Sequence, residues 1–196
     1  MFRPGEKENN VSKAPVRLAV LVGSAREGRF APTVVRWFAR QADRHGGFEI
    51  DVLDVAEISL PLTMNGEGAA PVAARLEAAD AFVVVTPEYN HSYPAALKNV
   101  LDWFRGEWHA KPVAFVSYGG ISGGLRAVEH LRPVFAELHA VTIRETVSFH
   151  GVYGRFGEDG EPVDPEAETA AKALLDQLEW WARALQEARS VRAYPA

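Results

Sequence analysis

The segment Ala81-Phe82-Val83-Val84-Val85-Thr86, followed directly by Pro87-Glu88-Tyr89-Asn90, is the most informative part of this chain. A short run that is apolar or β-branched at every position predicts a strand covered on both faces. The polar residues from Pro87 predict a loop, and apolar side chains then recur at helical spacing over residues 94–104. In an open parallel sheet, ligands bind at loops that leave the carboxyl ends of strands. This loop is therefore a candidate site.

Four other apolar runs predict strands, and helical patterns separate them. The predicted strands cover residues 16–22, 48–53, 81–86, 111–117 and 141–149, and the predicted helices cover residues 32–43, 71–79, 94–104, 125–139 and 166–189. Alternation of strand and helix predicts a parallel sheet with helices on both faces. With five strands, we expect a doubly wound, three-layer α/β fold of strand order 2-1-3-4-5. Residues 56–68 predict a long loop beside the site, and residues 151–162 predict a surface loop.

Length and composition predict one globular domain. The 196 residues are 47% hydrophobic and 24% charged, which is ordinary for a folded protein. We expect a single domain over residues 16–190, preceded by a flexible tail at residues 1–15, where apolar residues are scarce. No apolar stretch approaches the roughly 20 residues of a membrane span, and the first residues lack a secretory signal, so we expect a cytoplasmic protein.

Charge and residue usage exclude several classes of function. The formal net charge is −5 and the basic residues are dispersed, so we expect no nucleic-acid partner. The chain has no cysteine, which excludes disulfides, thiolate nucleophiles and iron–sulfur ligation. Its six histidines show no short ligand spacing, and we expect no metal site. Redox chemistry would therefore require a bound cofactor.

The first-strand loop, residues 23–30, has the features of a phosphate site. Its sequence is Gly-Ser-Ala-Arg-Glu-Gly-Arg-Phe, and a predicted helix follows it. Unpaired N–H groups at a helix start attract anions, while Ser24 adds a hydroxyl and Arg26 and Arg29 add positive charge. The loop lacks Gly-x-Gly-x-x-Gly and Gly-Lys-Ser/Thr, so a single phosphate is favoured over a dinucleotide or a nucleoside triphosphate. Alternatively, Gly23 and Ser24 only form and cap a turn.

The third-strand loop, residues 87–93, and the fourth-strand loop, residues 117–124, complete the candidate site. Glu88, Tyr89 and Asn90 can hold the edge of a flat polar ring, and glycines in the fourth-strand loop let a ligand approach backbone amides. His91 either faces a substrate or is simply an exposed loop residue, and the alternative for the glycines is that they only form a tight turn. Strands one, three and four are neighbours in the expected order, so the three loops predict one shared site.

These motifs resemble the NADPH-dependent FMN reductase family of flavodoxin-like proteins, which includes quinone, azo-dye and chromate reductases. The matching residues are Gly23-Ser24-x-Arg26, then Pro87-Glu88-Tyr89-Asn90 with Tyr93-Pro94-Ala95-Ala96-Leu97-Lys98-Asn99 and Asp102, then Ser117-x-Gly119-Gly120 with Gly123-Gly124. The resemblance implies that the FMN phosphate binds at Ser24, Arg26, Arg29, Phe30 and Ala31. It also implies that Pro87, Glu88, Tyr89, Asn90, Ser117, Tyr118, Gly119 and Gly120 border the isoalloxazine. The family often has a small polar residue in place of Arg29 and Asn in place of Ala31.

The resemblance further implies an FMN-dependent oxidoreductase that takes hydride from NADPH or NADH. The acceptor would be a small molecule such as a quinone, an azo compound, chromate or free flavin. The cofactor carries such chemistry, so we expect no catalytic side chain. Family members commonly form homodimers or homotetramers, for which Trp103, Phe104 and Trp108 are either interface or core residues. An electron-carrier flavodoxin and a non-catalytic flavin-binding regulator are the alternatives.

Overall fold

The chain forms a five-stranded parallel sheet in the computed structural model, which describes residues 14–65 and 68–195. The strands, in the spatial order β2-β1-β3-β4-β5, are β1 (Val16–Val22), β2 (Phe48–Asp54), β3 (Ala81–Pro87), β4 (Pro112–Gly119) and β5 (Val141–His150). Every neighbouring pair is parallel. The predicted doubly wound strand order is confirmed. The tail predicted at residues 1–15 lies outside the described residues, apart from Ala14 and Pro15, which are exposed.

Helices cover both faces of the sheet. They are α1 (Ala31–His45), α2 (Ala69–Ala78), α3 (Ala95–Trp103), α4 (Leu125–Glu137) and α5 (Glu166–Val191). Successive strand side chains point to opposite faces, so Val83 and Val85 pack in one core with α1 and α5, while Phe82 and Val84 pack in the other with α2, α3 and α4. All four are fully buried. This explains why the strand sequence is apolar at every position.

Two of the aromatic residues with alternative roles lie in the core. Trp108 is fully buried, with its ring 4.7 Å from that of Phe82 and 5.6 Å from that of Phe135, measured between centroids. Its indole N–H donates to the Phe104 carbonyl at 3.0 Å, and Phe104 is itself buried. The interface role is therefore wrong for Phe104 and Trp108, because their side chains fill the space between helices and sheet.

The long segment after β2 (Phe48–Asp54) is attached to α3 (Ala95–Trp103). The Asn99 side-chain amide donates to the Leu60 carbonyl at 2.8 Å, and the partly exposed Trp103 donates to the Pro61 carbonyl at 3.1 Å. Leu60 is buried, whereas Leu62 is 84% exposed. The described part of this segment thus packs on the edge of α3. Within the described ranges, no helix is long and apolar enough to cross a membrane.

A buried lysine holds the end of α2 (Ala69–Ala78). Lys111 is 7% exposed, and its ammonium donates to the carbonyls of Leu76 and Glu77, at 2.9 Å each. Burial, together with the nearby Arg189, lowers the pKa of Lys111 to about 8 from its ordinary value of 10.5. The charged ammonium therefore costs free energy in the folded protein.

We expect the free energy of unfolding to rise by about 2 kcal/mol between pH 8 and pH 10 because of Lys111. In this window the unfolded chain binds more protons than the folded chain at this residue, so stability increases with pH. Urea unfolding of the wild type and of Lys111→Met across the window measures the effect, which is the difference between the two pH profiles. Parallel profiles would contradict it. The window ends at pH 10 because burial raises the pKa of Tyr118, so stability falls once the unfolded tyrosine ionises.

Candidate functional site

The three predicted loops meet at the carboxyl edge of the sheet and enclose an open crevice of about 230 Å³. Its lining comes from the loops after β1 (Val16–Val22), β3, β4 and β5, and it includes the boundary between β1 and β3, where the strand order reverses and ligands usually bind in such sheets. The lining residues are Arg26, Glu27, Gly28, Arg29, Phe30, Pro87, Glu88, Tyr89, Tyr118, Gly119, Gly120, Val152 and Tyr153.

Four of the predicted site residues do not line this crevice. Ser24 lies buried beneath it, and Ala31 is fully buried in the core at the start of α1 (Ala31–His45). Ser117 is also fully buried, and Asn90 is exposed to solvent outside the crevice. The structure thus brings together the charged, aromatic and glycine residues of the prediction and places these four around them.

The first-strand loop leads into a helix whose first N–H groups are not capped. Gly28 has a φ of 66°, in the left-handed region, and turns the chain toward α1 (Ala31–His45). The helix has no side-chain cap and no acidic residue in its first turn. Its free N–H groups and partial positive charge therefore border the crevice at Phe30.

The two arginines of the first-strand loop have different surroundings. Arg26 is exposed, lines the crevice and is not among the ion-paired side chains of residues 14–65 and 68–195. Arg29 forms a two-pronged pair with Asp54, with Nη1–Oδ1 at 2.5 Å and Nη2–Oδ2 at 2.6 Å. The hydrogen bond to Asp54 raises the pKa of Arg29. Arg26 therefore has an unpaired charge beside the crevice, whereas the charge of Arg29 is balanced.

A hydrogen bond joins the first-strand and third-strand loops. The hydroxyl groups of Ser24 and Tyr89 lie 2.7 Å apart. The third-strand loop then makes a two-residue turn, in which Tyr89 and Ser92 exchange backbone hydrogen bonds of 2.8 and 3.1 Å. Asn90 and His91 have φ values of 48° and 72°, the positive values that a type I′ turn requires. The turn directs the Tyr89 ring back toward Ser24.

Glu88 connects the third-strand loop to α4 (Leu125–Glu137). Its carboxylate accepts a hydrogen bond from the backbone N–H of Arg126 at 3.2 Å and lies 3.3 Å from the Arg126 guanidinium. The Glu88 side chain is 8% exposed and that of Arg126 is 42% exposed, so the contact is partly buried. An acidic group in this position satisfies a free N–H group at the helix start. Glu88 thus fixes the two loops relative to each other.

His91 lies outside the crevice lining and contacts the same arginine. The Arg126 guanidinium donates to His91 Nδ1 at 2.9 Å. A guanidinium can only donate, so Nδ1 is the acceptor and the neutral imidazole has its proton on Nε2. His91 itself is exposed. The structure therefore agrees with the alternative of an exposed loop residue.

The glycines of the fourth-strand loop have two distinct roles. Gly123 and Gly124 have φ values of 60° and 87°, and a Cβ on Gly124 would lie 2.6 Å from Ser117 Cβ. Ser117 and Ser148 both donate to the Gly123 carbonyl, at 2.9 and 2.8 Å. A Cβ on Gly120, by contrast, would meet nothing within 4 Å, and its φ is not left-handed. The backbone requires glycine at 123 and 124, whereas at 120 glycine leaves the crevice open.

Tyr118 places a buried hydroxyl at the floor of the crevice. The residue is 4% exposed, and its hydroxyl finds no hydrogen-bond partner among the described residues. Burial chiefly, with the neighbouring Tyr89, raises the pKa of this hydroxyl. The hydroxyl therefore keeps its proton to a higher pH than an ordinary tyrosine does. A buried hydroxyl without a protein partner is a group that a bound ligand can satisfy.

Sequence reasoning missed three residues at this edge. Asp54 ends β2 (Phe48–Asp54), and Val152 and Tyr153 follow β5 (Val141–His150) in the segment predicted as a surface loop. The Tyr153 ring is 83% exposed and lies 5.7 Å from that of Phe30. The rule that ligands bind at carboxyl ends of strands, applied to all five strands, would have indicated these positions.

The strand order and the crevice at the carboxyl edge define a flavodoxin-like α/β protein. Residues 16–154 match the family model described as NADPH-dependent FMN reductase, and the chain belongs to this family. The predicted resemblance is therefore confirmed. A flavoenzyme NAD(P)H:(acceptor) oxidoreductase of Paracoccus denitrificans has a similar solved structure, with a TM-score of 0.70 and 23% identity over 86% of this chain and 98% of the other. That likeness supports the fold.

Two relatives show how far the sequence similarity extends. An NADPH:quinone oxidoreductase of Arabidopsis thaliana is 32% identical over 187 residues, which covers 89% of this chain and 95% of the plant protein. An NAD(P)H-dependent FMN reductase of Schizosaccharomyces pombe is 36% identical over 126 residues, which covers 57% of this chain and 62% of the yeast protein.

Proposed function

We propose that this protein is an FMN-dependent NAD(P)H oxidoreductase that reduces a small acceptor such as a quinone, an azo compound, chromate or free flavin. Bound FMN supplies the hydride-transfer chemistry, with NADPH or NADH as co-substrate. Family membership supports the class of activity. The observation that carries the proposal is the convergence of Arg26, Tyr118 and Gly120 on one crevice. Together these groups offer a cation, a hydrogen-bond donor and an open backbone.

The first-strand loop fits the phosphate of FMN. The exposed guanidinium of Arg26 and the uncapped N–H groups at Phe30 and Ala31 supply positive charge and donors. Ala31 has its side chain in the core, so it would contribute through its backbone. The hydroxyl of Ser24 already contacts Tyr89, and this bond holds the loop in place. Arg26 is therefore our principal phosphate ligand.

The third-strand and fourth-strand loops fit the edge of the isoalloxazine ring. We assign the ring contacts to Pro87, Glu88, Tyr89, Gly119 and Gly120, all of which line the crevice. Backbone N–H groups of the two glycines can stabilise negative charge on a bound ring, as donors at oxyanion sites do. Of the remaining predicted residues, Asn90 and Ser117 shape the loops.

Tyr118 adds a hydrogen-bond donor beside the first-strand loop. Like any tyrosine, Tyr118 is protonated at neutral pH, and burial raises its pKa further, so its hydroxyl can donate a hydrogen bond to an oxygen of a bound flavin. The tilted Phe30 ring lies 6.5 Å from the Tyr118 ring, between centroids, and helps to exclude water beneath the crevice. The protein side chains would thus orient and polarise the bound flavin ring.

The proposal also covers the domain bounds, the oligomeric state and the cellular compartment of the protein. We propose one FMN-binding domain over residues 16–190, in a cytoplasmic homodimer or homotetramer without a nucleic-acid partner. The net charge of −5 supports the last point. Ile121 and Tyr153, which are 91% and 83% exposed beside the crevice, offer apolar surface for a second subunit.

The proposed function is tested by spectroscopy of the purified protein. We expect added FMN to bind with a shifted visible spectrum, and NADPH or NADH to bleach the bound flavin when mixed anaerobically. Steady turnover with a quinone, without a separate reductase, would distinguish the enzyme from an electron carrier. Failure to bind FMN would refute the proposal. Bound flavin that neither nucleotide bleaches would reduce it to flavin binding.

A further inference from the structure

We infer that Arg29 is a positioning residue, which locks the first-strand loop through Asp54 and leaves the phosphate charge to Arg26. The inference rests on the proposed function, because it concerns recognition of FMN at the same crevice. Sequence reasoning treated Arg29 as a second phosphate ligand. The geometry of the pair points to a different role.

The guanidinium of Arg29 is engaged on more than one side. Both of its terminal nitrogens contact the Asp54 carboxylate, at 2.5 and 2.6 Å, and Nη1 also donates to the backbone carbonyl of Ser24. The side chains of Arg29 and Asp54 are 17% and 16% exposed. A planar, two-pronged pair of this kind is among the stronger polar contacts in proteins. A phosphate would have to displace Asp54 to bind Arg29 in the same way.

Asp54 holds two segments of chain at once. Its Oδ1 also accepts the backbone N–H of Ala56 at 3.0 Å, and its carbonyl accepts that of Glu57 at 2.9 Å. These bonds form the turn that leaves β2 (Phe48–Asp54). The Arg29–Asp54 pair therefore joins the first-strand loop to the start of the long segment after β2. Arg29 Nη1 also binds the Ser24 carbonyl, so the pair fixes both ends of the first-strand loop.

The charge balance of the pair weakens the attraction for phosphate. Paired with Asp54, Arg29 adds no net charge beside the crevice. Asp54 contacts Arg29 directly, so its carboxylate lies well within the roughly 8 Å screening length of physiological salt from the first-strand loop. Counting both arginines of the loop therefore overestimates the positive charge that is available to a phosphate. Removing the charge of Asp54 while preserving its shape should favour FMN over riboflavin, which lacks the phosphate.

The test compares the dissociation constants of FMN and riboflavin, measured by quenching of flavin fluorescence. We expect Asp54→Asn to shift the ratio of the two dissociation constants in favour of FMN by about threefold to tenfold, because one negative charge near the phosphate is removed. Loosening of the loop acts on both flavins and does not change this ratio. We expect Arg29→Ala to weaken riboflavin as well as FMN, because it releases the loop, and to weaken FMN more, because the Asp54 carboxylate is left without its partner. A purely structural Asp54 would not change the ratio of the two constants.

A second ion pair, formed by Asp51 on the same strand as Asp54, provides a matched control. Arg75 forms a similar two-pronged pair with Asp51, at 2.9 and 2.5 Å, but with side chains 43% and 48% exposed and outside the crevice lining. Arg75→Ala should leave both dissociation constants unchanged. An Arg29→Ala protein that loses FMN while keeping riboflavin would overturn the inference, as would an unchanged ratio in Asp54→Asn.

Unfolding of the flavin-free protein separates this inference from the proposed function. If the wild type binds neither flavin, the proposed function fails, and the pair is judged by its effect on the urea midpoint. Arg29→Ala and Asp54→Ala should then both lower the midpoint, Asp54→Ala by more because it also loses the bond from the Ala56 N–H, and the double variant should lower it by less than the sum of the two. Additive shifts would show that the two residues do not act together and would refute the inference.

Discussion

Arg26→Ala is expected to raise the dissociation constant for FMN by about tenfold to hundredfold and to change that for riboflavin by less than about twofold. Hydrogen bonds to charged groups contribute about 1.5 to 3 kcal/mol, which corresponds to this range. Arg26 is exposed, lines the crevice and has no ion-pair partner among the described residues, so its charge is available to a dianionic phosphate. Riboflavin has no phosphate and does not use this charge.

Titrations at two salt concentrations sharpen this measurement. The penalty for losing Arg26 should shrink at high ionic strength, because exposed charges are screened. Arg36→Ala is the matched control, since it removes one exposed positive charge from α1 (Ala31–His45) outside the crevice lining. Equal losses of FMN and riboflavin in Arg26→Ala would show that Arg26 contacts the ring or holds the loop. A loss in Arg36→Ala of the same size would reduce the effect to general electrostatics.

The fold could be predicted because the sequence of each strand shows by itself that both faces of the strand are buried. Leu18, Val20 and Val22 pack in the core with α1 and α5, while Ala19 and Leu21 pack in the other core. A strand that is apolar at every position needs cover on both faces, and alternating helices supply it. Neither inference requires knowledge of a distant residue. The strand order itself came from the usual arrangement of five strands in doubly wound sheets and not from the local pattern.

The position of the site could be predicted for a similar reason, but its pairings could not. Each loop could be assigned to the end of a strand from local patterns, and parallel strands bring those ends together. The partner of Arg29, however, lies 25 residues away at the end of another strand. Local sequence indicates that Arg29 is charged and near the site, and says nothing of a carboxylate that balances it. Glu88, which contacts α4 at Arg126, is a second case.

An alanine at position 124 should destabilise the fold, whereas an alanine at position 120 should weaken flavin binding. We expect Gly124→Ala to lower the free energy of unfolding by about 2 to 5 kcal/mol. A φ of 87° costs an alanine about 1 to 2 kcal/mol, and its Cβ would lie 2.6 Å from Ser117 Cβ and 2.8 Å from the Tyr118 nitrogen. Relief would require backbone shifts, which typically cost about 1 to 3 kcal/mol more. Urea unfolding of the flavin-free protein measures this.

Gly120→Ala should leave that free energy within about 0.5 kcal/mol of wild type, because its Cβ meets nothing within 4 Å and its φ is not left-handed. Its methyl group would instead stand at the lining of the crevice, so FMN and riboflavin should both bind more weakly and by a similar factor. The loss is shared because the ring, common to both flavins, is what approaches this backbone. A stable Gly120→Ala protein that binds both flavins normally would place the ring elsewhere, and a selective loss of FMN would place the phosphate at this end.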